Sequence, residues 1–494
     1  MPDQITSRRI VLGSVMLLLA AALTWWTLRD PGPAANRDAS HGRDVPVIIY
    51  LVDTLRADRL GLYGYDQSTS TAVDRLAIDS VVFNQAYAPA PWTTPSVASL
   101  ITSTFVCEHQ MTQRKKLAPE LRTLAERLNG AGYDTGAFIA NPLAGEVTGL
   151  NRGYVDYRLR EELDEEARLA DVGMFLDRVA GNPYLLYLHT MEPHEPHKTP
   201  ARYVARFGQF SAEQLKAYHM AMLRYYGYRH ADWKLGNPIG TSDYTSEQDK
   251  AMNYFVELGD TVNLVYDAAV LHASSNLANI VSLLKERGVW DQAIFIFMSD
   301  HGEELGEHGG WFHGQSLYEE LVRVPLVMHF PGGEFGGRRI STPVSLIDLM
   351  PTIFDYLGRP ELCQGCRGSS LLPLLRGEAP PSGQGSSILG MRFNRVNHYR
   401  PWKESRGDTN VLLRQDQWKG IWNAELESLE LYDLDRDPAE LSDVSGDQQQ
   451  LAQSLRQRVA PWLANCRDQA TEPGAVEQID PQTEEQLRAL GYFN

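Results

Sequence analysis

The chain has 494 residues and carries 46 Lys and Arg against 63 Asp and Glu, a formal net charge of −17. Apolar types make up 43% of it, with ten Trp and 22 Tyr, which is ample for a large core. This composition excludes a disordered chain, a collagen-like chain and a polytopic membrane protein. The acidic excess argues against nucleic-acid binding, which needs clustered Lys and Arg. Four Cys in so long a chain exclude a disulfide-rich scaffold.

The N-terminal segment predicts a membrane anchor over residues 1–28. Ile10–Leu28 has no charged side chain, and as a helix it would reach about 28 Å, close to the hydrocarbon thickness of a bilayer. Arg8 and Arg9 precede this run, so the positive-inside rule keeps the tail in the cytoplasm and places the rest of the chain outside it, in the periplasm. A signal peptide cleaved near Ala22 and a twin-arginine export signal are the alternatives. Each of them also exports the folded part.

The domain organisation follows from changes in composition and periodicity. Residues 29–44, with several Pro and Gly, predict a flexible linker. Over residues 45–390 short apolar runs alternate with helical patterns, which predicts an α/β domain with a mostly parallel sheet and helices on both faces. Residues 206–260, rich in Tyr and charged groups, predict an insertion or lid. Residues 391–494 predict a smaller C-terminal α+β subdomain.

The predicted elements alternate along the chain. Strands are predicted at Val47–Val52, Ala137–Ala140, Tyr184–Leu188, Ala293–Met298 and Val324–Phe330, where β-branched and aromatic residues are concentrated. Helices are predicted at Leu121–Leu128, Val262–Leu284 and Gln449–Ala464, the first two from apolar residues that recur at spacings of three and four.

The four cysteines predict disulfides, because an even number of Cys outside the cytoplasm is usually paired. Cys363 and Cys366 are close in sequence and lie among Pro and Gly, which favours a local loop staple over a redox pair. A bond between Cys107 and Cys466 then follows only by elimination.

Three of the predicted strands run into potential metal ligands. These are Asp53, His189, Asp300 and His301. Ligands bind beyond the carboxyl ends of strands in open parallel sheets, so we expect these side chains to lie close together. Six of the 13 His fall within residues 189–197 and 301–313, which favours a metal site over scattered structural histidines.

A glycine-rich segment follows the last of these strands. Residues 299–314 contain five Gly, which predicts a mobile loop that can fold back over the strand end. His313 would then face the same cavity as Asp300 and His301. Glu304 and Glu307 are expected to be solvated residues of this loop.

Residues 91–100 (PWTTPSVASL) predict the start of a helix at Thr94 or Pro95, because Pro is favoured in a first turn. The hydroxyl of Thr93 would then lie beside the positive end of the helix, where a phosphoryl or sulfuryl group binds. Threonine alone is a poor nucleophile, and a dication that stabilises its alkoxide supplies the missing activation. A Ser/Thr-rich helix start is otherwise a plain N-cap.

Seven segments along the chain form an ordered set of motifs: 53–65 (DTLRADRLGLYGY), 132–138 (GYDTGAF), 189–196 (HTMEPHEP), 299–303 (SDHGE), 317–325 (LYEELVRVP), 431–440 (LYDLDRDPAE) and 487–492 (LRALGY). In these motifs and in their order, the chain resembles the sulfatase family of the alkaline phosphatase superfamily. The resemblance implies an alkaline-phosphatase-like α/β fold and ester hydrolysis. It also implies a catalytic side chain two residues before Pro95, at Thr93.

The chain departs from the family pattern at the site. Family sulfatases place Cys or Ser, in a C/S-x-P-x-R pattern, for conversion to formylglycine, whereas residues 93–97 here read TTPSV. Thr54 replaces the second acidic residue of the usual Asp-Asp pair, and Asp300-His301 replaces Asp-Asn. A His ligand moves the expected metal from Ca²⁺ towards Zn²⁺ or Mn²⁺. The Thr nucleophile, the Asp-His pair and His313 resemble the phosphoethanolamine and phosphoglycerol transferases of the superfamily, which carry several membrane helices where this chain has one.

The resemblance and the residues together predict a metal-dependent ester hydrolase at the cell envelope. The predicted ligands of one or two divalent metals are Asp53, Thr93, Asp300, His301 and His313. The predicted catalytic residues are Thr93, His194 and His313, and those predicted to contact substrate are His189, His194 and Arg56. His194 and His313 are expected to complete a second metal site, or to bind substrate and protonate the leaving group. The expected substrate is a small-molecule, glycan or lipid ester of sulfate or phosphate. The alternatives are a phosphoethanolamine- or phosphoglycerol-type transferase that modifies an envelope glycan, and a non-catalytic homologue.

Overall fold

A computed structural model describes most of the chain beyond the N-terminal segment. The described residues are 44–112, 115–160, 165–208, 213–222, 255–378, 387–393 and 409–475, with single residues at 479, 481, 483, 484 and 487. The predicted membrane anchor and most of the predicted insertion lie outside them. Among the described residues no helix combines the length and apolar character needed to cross a membrane. Asp44–Asn494 forms one unit, to which the following description applies.

Runs of buried apolar residues build a central sheet, and nine of its strands lie in the described residues. In chain order they are β1 (Val47–Val52), β2 (Val81–Tyr87), β3 (Asp134–Ile139), β4 (Asp156–Leu159), β5 (Tyr184–Thr190), β6 (Ile294–Met298), β7 (Arg323–His329), β8 (Arg339–Ile340) and β9 (Val344–Ser345). Their order across the sheet is β8-β2-β7-β6-β1-β5-β3-β4, and β9 also pairs with β2. All five predicted strands are found: β1 has the predicted ends, and each of the other four is shifted at one or both ends.

Most neighbouring strands run parallel, as predicted. β1 lies between β5 and β6 and is parallel to both, and β3 is parallel to β5 and β4. β7 is antiparallel to both of its neighbours, β2 and β6. The carboxyl ends of β3, β5, β1 and β6 therefore lie side by side at one edge of the sheet.

Helices cover both faces of the sheet. They include Thr71–Leu76, Thr93–Thr102, Val106–His109, Leu124–Gly130, Glu165–Arg178, Ala201–Val204, Gly259–Glu286, Glu319–Val322, Leu349–Tyr356 and Leu372–Arg376. Successive side chains of a strand point to opposite faces, so β1 contributes Ile49 to one core cluster and Ile48 to the other. The first cluster includes the Thr93–Thr102 helix, and the second includes the Gly259–Glu286 helix.

The C-terminal subdomain is an antiparallel sheet with a helix. Its strands, in sheet order, are β10 (Ser387–Arg392), β11 (Asn410–Gln415), β12 (Trp418–Asn423) and β13 (Ser428–Asp433). The helix Gln449–Asp468 buries Leu455 and Val459 in the same cluster as Val411 and Leu413 of β11. The first strand begins slightly before the predicted boundary at residue 391.

Both disulfides are present. Cys363 and Cys366 close a local loop. Cys107 and Cys466 join the Val106–His109 helix, which follows the Thr93–Thr102 helix, to the C-terminal helix.

Candidate active site

Asp53 lies at the centre of a buried cluster beyond the end of β1. Its Oδ2 atom is 3.0 Å from His189 Nε2, at the end of β5, and accepts a hydrogen bond of 2.8 Å from Asn141 Nδ2, which follows β3. Thr93 Oγ1 lies 3.4 Å from the same oxygen. The expected meeting of Asp53 and His189 is thus observed. Asn141 was not predicted, although it follows a strand that ends at the same edge.

Thr93 is the first residue of the Thr93–Thr102 helix and is only 2% exposed. Its hydroxyl lies 3.3 Å from His301 Nε2, in addition to its contact with Asp53. The neighbouring hydroxyls point elsewhere, because Thr94 Oγ1 donates to the Leu143 carbonyl at 3.3 Å and Ser96 Oγ donates to the Asp300 carbonyl at 2.7 Å. Among these three, Thr93 alone directs its hydroxyl at the side chains of the predicted ligands.

The atoms of Asp53, Asp300 and His301 fit a divalent cation. His301 Nδ1 donates to the Gly302 carbonyl at 2.9 Å, so Nε2 carries the lone pair. This Nε2 faces Asp53 Oδ1 at 3.4 Å and Asp300 Oδ2 at 3.6 Å, and neither oxygen accepts a hydrogen bond from the described residues. Buried acceptors that face one another are unfavourable unless a proton or a cation lies among them. Carboxylate and imidazole donors in one set suit Zn²⁺ or Mn²⁺.

Burial dominates the electrostatics of this group. It raises the pKa of Asp300 well above its ordinary value, and the charge of Asp53 raises it further. Burial acts on Asp53 in the same direction, but the hydrogen bond from His189 and the nearby imidazoles outweigh it, so that the pKa of Asp53 is lowered. Burial lowers the pKa of His301 to about 3, so its ring is neutral. The two carboxyls therefore share one negative charge and one proton until a cation displaces the proton.

A second buried group adjoins the first. His313 Nδ1 lies 3.2 Å from Glu195 Oε2 and 3.1 Å from Glu303 Oε1, and His194 Nδ1 lies 3.3 Å from the same Glu195 oxygen. The ring centroids of His313 and His301 are 4.7 Å apart. The loop folds back as predicted, and His313 contacts the carboxylates of this second group. Burial, and next the charge of Glu195, raise the pKa of Glu303 well above its ordinary value.

Arg56 is directed at a neighbouring loop. Its guanidinium donates to Asp58, to Glu307 Oε1 at 2.5 Å and to the Glu303 carbonyl at 3.0 Å, and its side chain is 4% exposed. These contacts hold the loop that carries Glu303. None of them is with Thr93 or with the ligands described above, so the substrate contact of Arg56 stays a prediction.

The expectation that Glu304 is solvated is wrong, whereas Glu307 is exposed, as expected. Glu304–Leu305 pairs with Trp311–Phe312, and this short ladder places the Glu304 carboxylate in the interior, where it accepts from Gly310 N at 2.9 Å. Glu307 is held by Arg56. A charged residue among glycines is normally solvated, and only the fold of the loop shows that Glu304 is not.

Two carboxylates of the site were also missed by the sequence analysis. Glu195 lies in the histidine-rich window that drew attention to His194, and Glu303 follows His301 closely. Their position beside these histidines is the one sequence feature that indicates a role in the site. Glutamates are abundant in surface loops, so this position alone does not predict a buried site residue.

The buried strand-end site and the mostly parallel sheet define an alkaline-phosphatase-like hydrolase. A sequence profile described as "Sulfatase" matches residues 46–359, and a profile described as "N-sulphoglucosamine sulphohydrolase, C-terminal" matches residues 306–468. The chain therefore belongs to the sulfatase family, and it is a sulfatase-like ester hydrolase. Members of this family generally bind a divalent metal, in agreement with the donor atoms around Asp53.

Several known proteins are similar over most of their length. Arylsulfatase K of Bos taurus is 26% identical over 488 residues, which cover 90% of this chain and 87% of the relative. N-acetylglucosamine-6-O-sulfatase of Bacteroides thetaiotaomicron is 22% identical and covers 92% of each chain. The phosphonate monoester hydrolase of Agrobacterium radiobacter has a TM-score of 0.61 at 21% identity, covering 86% of this chain and 96% of its own. A protein solved with its substrate D-glucosamine-2-N,6-O-disulfate has a TM-score of 0.65 at 18% identity, covering 87% and 100%.

Proposed function

We propose that this chain hydrolyses sulfate or phosphate esters of glycans or small molecules and that Thr93 is the nucleophile. The observation that carries the proposal is the direction of the Thr93 hydroxyl, 3.4 Å from Asp53 Oδ2 and 3.3 Å from His301 Nε2. The hydroxyl also lies at the N-terminus of a buried helix, where an anionic group is stabilised. Two of the relatives are sulfatases by name, and one solved neighbour binds a sulfated glucosamine, which supports a glycan ester as substrate.

A divalent metal, Zn²⁺ or Mn²⁺ rather than Ca²⁺, held by Asp53, Asp300 and His301 would lower the pKa of the Thr93 hydroxyl and neutralise charge on the transferred group. The Thr93 hydroxyl passes its proton to Asp53 Oδ2, to which it donates a hydrogen bond. Its Oγ1 forms a bond to sulfur or phosphorus while the ester bond breaks, and the leaving oxygen takes a proton from His194 or His313. Water then cleaves the ester at Thr93, which releases sulfate or phosphate and restores the Thr93 hydroxyl. Glu195 and Glu303 orient the imidazole of His313 or, with His194 and His313, provide a second cation site.

Substitution of Thr93 tests the nucleophile. Thr93→Ala is expected to abolish turnover while folding and most metal binding persist, because Asp53, Asp300 and His301 remain. Thr93→Ser is expected to keep part of the activity, since a hydroxyl is still presented. Thr94→Ala is the matched control, because the Thr94 hydroxyl points away to a carbonyl. Near-normal turnover by Thr93→Ala would refute the covalent mechanism.

Product analysis distinguishes the proposal from its rivals. Metal analysis of the purified protein is combined with a panel of sulfate and phosphate esters. Release of free sulfate or phosphate supports a hydrolase, whereas turnover that requires an acceptor would show a transferase. Bound metal without turnover of any ester would show a non-catalytic homologue.

The proposed location is outside the cytoplasm, on an anchor formed by Ile10–Leu28. The uncharged run after Arg8 and Arg9 supports it, as do two disulfides, which persist in oxidising compartments. The protein is then expected to stay in carbonate-washed membranes with an N-terminus that precedes Ile10. A processed N-terminus after Ala22 would exclude the anchor.

A further inference from the structure

Two side chains of β5 form a hydrogen-bonded chain that ends on Asp53. Tyr187 Oη lies 3.0 Å from His189 Nδ1, and His189 Nε2 lies 3.0 Å from Asp53 Oδ2. Tyr187 and His189 are two residues apart on a strand, so they point to the same face. All three side chains are buried, and β5 is the direct neighbour of β1, which leads into Asp53.

The chemistry of these groups fixes which atom donates and which accepts in each of the two hydrogen bonds. A carboxylate can only accept a hydrogen bond, so His189 Nε2 is the donor to Asp53. In a neutral imidazole the other ring nitrogen then accepts, which makes the Tyr187 hydroxyl the donor to Nδ1. Burial raises the pKa of Tyr187 well above its ordinary value, which keeps the proton on the phenol.

The two oxygens of Asp53 are consequently unlike. Oδ2 accepts a hydrogen bond from His189 Nε2 and another, of 2.8 Å, from Asn141 Nδ2. Oδ1 accepts no hydrogen bond from the described residues and faces His301 Nε2 at 3.4 Å. A carboxylate whose second oxygen is occupied in this way offers a single oxygen, in a fixed direction, to a cation.

We propose that Tyr187 and His189 are positioning residues: they occupy Oδ2 of Asp53 and thereby direct Oδ1 at the metal. This inference rests on the proposed metal site at Asp53, Asp300 and His301. In this proposal His189 orients the metal ligand Asp53, whereas the sequence predicted that it contacts the substrate. Hydrogen bonds to metal ligands from outside the coordination shell commonly change metal affinity by about 10- to 100-fold.

Removal of one hydroxyl tests the proposal with little change in shape. The metal is removed from the full-length protein by chelation, and Mn²⁺ is titrated back by calorimetry. Tyr187→Phe is expected to bind Mn²⁺ about tenfold more weakly, because His189 loses the donor that fixes its tautomer. Tyr184→Phe is the matched control: Tyr184 lies on the same strand, and its buried hydroxyl has no hydrogen-bond partner among the described residues.

Substitution of the imidazole provides a rescue experiment. His189→Gln can place an amide N–H near the position of Nε2 and is expected to retain most of the affinity. His189→Phe has no donor and is expected to lose about tenfold or more. Equal losses in the two variants would show that packing, and not the hydrogen bond to Asp53, sets the affinity, and would overturn the proposal.

The tautomer of His189 is measured independently in the metal-free protein. Side-chain ¹⁵N spectra are expected to show its proton on Nε2, and Tyr187→Phe is expected to shift protons towards Nδ1. A proton on Nδ1 in the wild type overturns the proposal, as does unchanged Mn²⁺ affinity in Tyr187→Phe or an equal loss in Tyr184→Phe. A wild-type protein that binds no metal contradicts the proposed metal site instead, and the spectra still decide whether the hydrogen-bonded chain exists.

Discussion

Four buried carboxylates lie in the two adjoining groups around Asp53 and His313. They belong to Asp53, Asp300, Glu195 and Glu303, each at most 1% exposed. Carboxylates are rarely buried unless protons, positive side chains or metals compensate their charge. Because the pKa values of Asp300 and Glu303 are raised, protons supply part of this compensation when no cation is bound.

Metal binding is therefore expected to release protons. The cation must displace the proton on Asp300, so the apparent affinity should rise with pH until that carboxyl is deprotonated. Calorimetric titration of Mn²⁺ in buffers with different ionisation enthalpies measures the number of protons released. Asp300→Asn should bind Mn²⁺ more weakly and release fewer protons. An unchanged number of released protons would contradict the assignment of Asp300 as a ligand.

Arg56 gives a second prediction at the residue scale. Arg56→Lys keeps the charge but loses the fork that spans Asp58, Glu307 and the Glu303 carbonyl. We expect a loss of about 1–2 kcal/mol in the free energy of unfolding, with KM little changed. Urea unfolding and steady-state kinetics measure the two quantities. A large rise in KM at unchanged stability would instead support the substrate contact predicted from sequence.

At the scale of elements, His109 contacts the helix that carries Thr93 through a buried hydrogen bond to Ser99. Met111 N donates to His109 Nδ1 at 3.0 Å, so Nε2 carries the proton, and it lies 2.8 Å from Ser99 Oγ on the helix. Burial lowers the pKa of His109 to about 3, against 6.5 for an ordinary histidine. Between these values the unfolded chain binds a proton that the folded protein does not.

The stability contributed by the neutral His109 is therefore complete above pH 6.5 and lost as the pH falls towards 3. The slope for this one proton approaches about 1.4 kcal/mol per pH unit within that window. His109→Gln should be less stable at pH 7.5 but should lose less stability between pH 6.5 and 4.5. Urea unfolding at several pH values measures how the free energy of unfolding changes with pH in the wild type and in His109→Gln. The same change with pH in both proteins would contradict the prediction.

The elements also show what sequence patterns can and cannot predict. β1 and β6 were predicted because both faces of these central strands are buried, which requires continuous apolar runs. β4 was not predicted, because this edge strand has only half-buried residues and the polar sequence DYRL. Asp53, His189, Asp300 and His301 followed from the rule for strand ends. His194 and His313 were predicted to act together, but their contacts with Glu195 and Glu303 could not be predicted, because a glycine-rich loop of this length has many ways to fold back.

For the whole molecule, the two disulfides should differ in their effect on stability. Cys107 and Cys466 are 359 residues apart, whereas Cys363 and Cys366 are separated by three. A bond that closes a longer loop restricts the unfolded chain more, so loss of Cys107–Cys466 is expected to cost about 2–5 kcal/mol. Calorimetric melting of the double variants Cys107→Ala/Cys466→Ala and Cys363→Ser/Cys366→Ser measures the difference.

The Cys363→Ser/Cys366→Ser variant should also keep its turnover, because neither cysteine belongs to the proposed site. Loss of turnover in the correctly folded variant would mean that the active site is misplaced.

Lys419 of β12 is fully buried, and its ammonium lies 2.9 Å from Glu319 and 2.9 Å from Glu440. Glu319 begins the helix that follows the loop of His313, so the partner of this carboxylate lies a hundred residues further along the chain. A ribosome synthesises the chain from the N-terminus, and every described strand of the central sheet emerges before Lys419 does. Until then, Glu319 lacks this cation. A chain that ends before Lys419 is therefore expected to be less stable than the full chain in urea unfolding, because the Glu319 carboxylate loses its partner.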